Sequence, residues 1–150
     1  RSSKKFLRAV VAVWGMSGVF LLLPAGGIAT GRSNAQVIHV TIDVKPGDEP
    51  TTIEPKREGM IPIAILTTRE FNATRVDGAT VRAGATGTEA AVFRSASEDI
   101  DRDGDTDMLL LFRVQQMGLE CSDTSVSLKG RTRDGQEIEG AEAVKMEGCA

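Results

Sequence analysis

The sequence predicts an all-β domain, an antiparallel β-sandwich, in residues 36–150. Three observations carry that prediction. Short segments alternate apolar and polar residues with the period of two that a half-buried strand requires. Turn residues separate these segments every 8–12 positions, the spacing of a sandwich. No sustained helical period occurs beyond residue 35.

The elements follow in chain order. Lys4, Lys5 and Arg8 precede the apolar run AVVAVWGMSGVFLLL, residues 9–23, and SNA before Gln36 supplies the small residues of a cleavage site. This reads as a secretory signal-peptide helix ending at Ala35. A retained anchor is the alternative, for which the run is short of the roughly 20 apolar residues of a span. No Cys follows the run, which argues against a lipoprotein. The chain thus divides into a leader, 1–35, and an exported domain, 36–150, with an extracellular or periplasmic location and no membrane attachment after cleavage.

In VIHVTIDV, residues 37–44, Ile38, Val40, Ile42 and Val44 alternate with His39, Thr41 and Asp43, so His39 faces outward. Pro46, Gly47 and Pro50 then break the chain. MIPIAILTT, residues 60–68, is a second strand, and Pro62 assigns it to a sheet edge or near its own start. That edge, blunted by Pro62, is a candidate self-association surface. TREFNATRV, residues 68–76, has room for one helical turn. ATVRAG (79–84), EAAVFRS (89–95) and DMLLLFRV (107–114) give three further strands, the last apolar enough for burial on both faces. TSVSLKGRT and QEIEGAEAVKM, joined around Asp134–Gly135, form a closing hairpin. Six or seven strands of this kind make an immunoglobulin-like or similar sandwich.

Charge narrows the partners. All 21 acidic residues lie in residues 36–150 with 13 of the 18 Lys and Arg, a net charge of −8 for the exported domain. Without a basic cluster this is not a nucleic-acid or anionic-membrane surface. The aromatics of residues 36–150 are Phe71, Phe93 and Phe112, so no Trp or Tyr supplies a stacking platform. The two cysteines, Cys121 and Cys149, sit in an exported domain where an even count points to pairing. A reactive thiol is the alternative, but His39 is the only histidine that could activate it.

The sharpest feature is EDIDRDGDTDMLLLFRV, residues 98–114, with six acids in ten residues before a strand. With Asp99 as position 1, Asp101, Asp103, Asp105 and Asp107 fall at 3, 5, 7 and 9, and Gly104 at 6, where a calcium loop turns sharply. Calcium takes six to eight hard oxygen ligands, and side chains at 1, 3, 5 and 9 with the carbonyl at 7 supply most of them. Position 12 is Leu110, so the bidentate Glu of an EF-hand is missing and the loop feeds a strand. The alternative is a solvated acidic turn whose five aspartates repel one another, with only Arg102 between them. Magnesium fits less well, since it retains its waters and binds few carboxylates.

These stretches together, VTIDVKPGDEPTTIEPKREGMIPIAIL, DIDRDGDTDMLLLF and GLECSDTSVSLKGRTRDGQEIEGAEAVKMEGC, resemble a small secreted bacterial domain of unknown function in which IDIKPG, IPVAIL and a DVNGDGxxDL loop recur with a late cysteine pair. The loop is similar to those of dockerins, thrombospondin type 3 repeats and integrin-type propeller blades. The resemblance implies export, Ca2+ held by Asp99, Asp101, Asp103, Asp105 and Asp107, and a Cys121–Cys149 disulfide. It implies no activity. Arg102 stands where the pattern has Asn, at a position that is not a main ligand.

An enzyme is not expected. Serine chemistry needs a base beside the nucleophile, and neither a G-x-S-x-G motif nor a second histidine is present. A glycosidase has the carboxylates it needs but lacks the Trp and Tyr that line sugar clefts. The expected function is a secreted calcium-binding module with a structural or protein-interaction role, its partner an extracellular protein or envelope component. The alternative is a calcium-dependent carbohydrate-binding module, whose ligand is a glycan.

Overall fold

A computed structural model describes residues 36–150, which cluster as one compact unit; the predicted signal peptide, 1–35, lies outside the described residues. Eleven strands run in order: β1 Ile38–His39, β2 Thr41–Val44, β3 Thr52–Ile53, β4 Met60–Leu66, β5 Val76–Gly84, β6 Ala90–Ala91, β7 Arg94–Glu98, β8 Asp107–Arg113, β9 Ser125–Thr132, β10 Glu137–Ala143 and β11 Lys145–Met146. Short 3-10 turns occupy Ala73–Arg75 and Val114–Gln116. The first falls where one helical turn was expected.

The strands form a five-stranded sheet in the order β1-β10-β9-β5-β6 and a four-stranded sheet in the order β2-β4-β8-β7, with β11 and β3 pairing separately. The long ladders are antiparallel, and only the two-residue pairings β1 with β10 and β3 with β11 are parallel. The fold is therefore all-β and sandwich-like, as the alternation of the strands predicts. One buried apolar cluster draws on both sheets, with Val81, Val126, Leu128 and Ile138 from one and Val44, Ile63, Ile65, Leu110 and Phe112 from the other. Such close-packed contact is the main favourable term for a domain of this size.

Four expectations are corrected. Residues 37–44 are two strands, not one: Val40 N donates to Glu139 O at 2.8 Å and the chain then leaves β10 for β4, changing sheets. Gly140 makes that corner possible, because a Cβ there would lie 2.8 Å from Val40 O. Likewise the predicted 89–95 strand splits into β6 and β7, which belong to different sheets.

The third correction concerns Met60–Leu66, which is an interior strand bonded to β2 and β8, so it offers no free edge. Pro62 is tolerated near its start because β2 has ended. Lys45 N donates to Pro62 O at 2.8 Å, while Lys45 O already accepts from Asp48 N at 3.0 Å, so the missing Pro62 N–H costs no ladder bond. Finally, β8 is buried on one face only: Met108, Leu110 and Phe112 point inward, whereas Leu109 and Leu111 are half-buried.

The closing hairpin forms as predicted, with Ser125–Thr132 against Glu137–Ala143 and Gly135 in the turn at φ 91. Beyond it the chain continues to β11, and Cys121 and Cys149 are joined in a disulfide. Among the described residues no helix is long and apolar enough to cross a membrane. His39 is on the surface, its Nδ1 3.4 Å from Glu139 Oε2.

Candidate metal centre

The acidic stretch is the loop between β7 and β8, residues 99–106. Its backbone folds around the first aspartate. Asp99 Oδ1 accepts from Asp103 N at 3.1 Å and Asp99 Oδ2 from Gly104 N at 2.9 Å, which closes the loop into a ring. Asp101 Oδ1 accepts from Asp103 N at 3.3 Å, and Asp103 Oδ1 from Asp105 N at 2.9 Å. Two residues take positive φ, Gly104 at 98 and Arg102 at 64. Gly reaches that region without a steric penalty, whereas Arg at position 102 has to be held there by the loop.

Asp107 closes the loop from the other side and differs from the rest. It is fully buried, and both its oxygens accept from main-chain donors: Oδ1 from Thr67 N and Oδ2 from Ile100 N, each at 2.8 Å. Thr67 extends the connection, since its Oγ1 donates to Thr106 O at 2.6 Å and accepts from Ala73 N at 2.9 Å. The end of β4, the start of the loop and the first residue of β8 are thereby joined at one carboxylate.

Asp99, Asp101 and Asp107 converge, with one oxygen of each within 4.8 Å of the others, a set that could hold a metal ion. A carboxylate has about four lone-pair sites, so the bonds that orient Asp99 and Asp107 leave oxygen capacity for a cation. All the donors are hard oxygens, the set that suits calcium or magnesium rather than zinc or copper. Asp103 and Asp105 belong to the same loop but their carboxylates lie outside the converging trio; Asp105 entered the predicted set through its backbone carbonyl. Partial desolvation, reinforced by the hydrogen bond with Asp103 and the charges of Asp103 and Asp107, holds the Asp101 carboxyl above its ordinary range. Bringing like charges together in this way favours a proton or a cation on the site.

One contributor, Thr67, and one neighbouring charge, Asp43, escaped the sequence reading. Thr67 looked like the tail of a strand, and nothing in its neighbourhood marks a partner forty positions away. Asp43 alternates correctly as an outward residue of β2, yet its carboxyl is raised by burial first, then by the charges of Glu142, Glu49 and Asp101. The folded state binds the Asp43 proton more tightly than the unfolded chain, so ionising it costs the fold stability as pH rises through the raised pKa. Asp43→Asn is therefore expected to raise the melting temperature at pH 7 in chelator, with the gain shrinking as the pH falls to 4. A pH series of melts checks this, and a gain that grows on acidification would contradict the sign.

The chain thus combines an all-β fold, a Cys121–Cys149 disulfide and three converging aspartates. No protein-family model matches the sequence, and no curated protein matches it at a significant level.

Proposed function

We propose that residues 36–150 form a secreted calcium-binding β-sandwich module with a structural or protein-interaction role outside the cell. The observation that carries this reading is the convergence of Asp99, Asp101 and Asp107 at positions 1, 3 and 9 of a loop whose glycine turns at position 6. The disulfide agrees with an oxidising compartment. The resemblance to secreted bacterial domains with DVNGDGxxDL loops supports the same assignment.

Calcium in this loop would offset the repulsion of five aspartates and fix the entry into β8. It binds the folded state more tightly, because the fold holds the three carboxylates together, and it therefore stabilises by mass action. A calorimetric calcium titration paired with thermal melts in calcium and EDTA tests the reading. Saturable binding and a higher melting temperature in calcium are expected, with affinity falling in acid as Asp101 retains its proton. Absent heat and superimposable melts would return the stretch to a solvated turn.

A further inference from the structure

The geometry points to β7 as a self-association edge, through which two copies of this chain pair antiparallel across a two-fold axis centred on Ala96. This goes beyond the calcium reading and does not depend on it.

β7, Arg94–Glu98, is the end strand of the four-stranded sheet, bonded to β8 alone, and all five of its residues are exposed. Every second N–H and C=O of such a strand points off the sheet, ready to template another strand. The other edges differ. β1 and β6 are two residues long, and at β2 the Val44 N–H is taken by Glu142 Oε1 at 3.0 Å. β7 is thus the longest of the end strands among the described residues. Within its length it carries no Pro, no Lys and no Gly, and the charges of Arg94 and Glu98 are its deterrents to pairing.

The sequence of the strand, Arg-Ser-Ala-Ser-Glu, matches itself. Antiparallel pairing about Ala96 sets Arg94 opposite Glu98 of the other copy and Glu98 opposite its Arg94, with Ser95 opposite Ser97. Arg94, Ala96 and Glu98 share one face of the strand, so both charge pairs close on the side where the small Ala96 residues meet. A two-residue slip in either direction separates the charges, and parallel pairing stacks like on like. Charges that ordinarily deter edge pairing here select one partner, a second copy, and one register.

The flanks agree. Phe93, half exposed beside the strand, lies under Arg113 with its Cζ 4.5 Å from the ring centroid, and Arg94 approaches the same ring at 5.8 Å. The two-fold directs the acidic loop that follows Glu98 toward this cationic corner of the other copy. An interface built on five residues a side belongs to the small, weak class, so the dimer is expected to be concentration-dependent.

Sedimentation of the full chain in calcium over a concentration series decides the matter. Wild type is expected to dimerise. Arg94→Glu and Glu98→Arg should each weaken the dimer at least tenfold, the double variant R94E/E98R should restore it, and mixing the two single variants should give a heterodimer. All these positions are exposed, so a melt of each variant close to wild type is expected. Association through any other surface would be indifferent to the swap. A monomer at every concentration, a dimer unmoved by the single changes, or a double variant that stays monomeric each overturns the proposal.

Discussion

Asp107→Ala should destabilise the domain by about 3–5 kcal/mol in EDTA, because it removes two hydrogen bonds to a buried carboxylate acceptor, and by more in calcium, because it also removes one of the three converging carboxylates. The acceptor's partners, the Thr67 and Ile100 N–H groups, would be left without it at the point where β4, the loop and β8 meet. For a domain of this size that corresponds to a drop of roughly 10–20 °C in melting temperature. Asp101→Ala is the informative contrast. Its carboxylate is exposed and holds one loop N–H at 3.3 Å, so its loss should leave the melt in EDTA near wild type while abolishing the increment that calcium adds. Melts of the two variants in both conditions separate an aspartate that builds the loop from one that serves the ion. If Asp107→Ala melted like wild type in EDTA, the anchoring role assigned to it would be wrong.

The second large effect belongs to the disulfide. Cys121 and Cys149 are 28 positions apart, and opening a loop of that size costs about 3–4 kcal/mol in the chain-entropy account. Cys149→Ser should therefore lower stability by that amount. The damage should begin locally. β11 pairs with β3 through Lys145–Thr52 and Met146–Ile53 only, with flanking bonds from Lys145 N to Thr51 O at 2.9 Å and Glu147 N to Ile53 O at 2.8 Å. Too few bonds hold this ribbon for it to persist untethered. Hydrogen exchange should show the Lys145 and Glu147 amides losing protection before the β9 and β10 amides do. Equal protection of the ribbon in oxidised and Cys149→Ser protein would mean that the cross-link is not what retains it.

Much of the fold was legible because local pattern and tertiary role coincide. In Ser125–Thr132 and Glu137–Ala143 the alternation, the Asp134–Gly135 turn and the hairpin register all agree. The sheet switches at Val40 and at Val92–Phe93 were not legible, since the alternation of residues 37–44 runs through the first without a break. What turns the chain there is the approach of Gly140 to Val40 O, a contact between distant segments. Of the two places Pro62 allowed, the strand start holds and the sheet edge does not: its lost N–H matters only if an acceptor faces it, and the Lys45 carbonyl is already taken by Asp48 N. The loop showed the same division. Spacing was enough to find all five aspartates, yet it treats them as equals, and only the fold reveals that Asp107 is buried while Asp101 is exposed.

The bond from Thr67 N to Asp107 also has a kinetic side. Its partners are forty positions apart, so the carboxylate cannot be in place until β4 and β8 have met, and closing so large a loop comes at a cost that local contacts avoid. The convergent site is therefore completed late, after the ladder it depends on. A cation captured there would arrive too late to hasten folding and would act instead on the reverse path, slowing the escape of a chain that has already found its register.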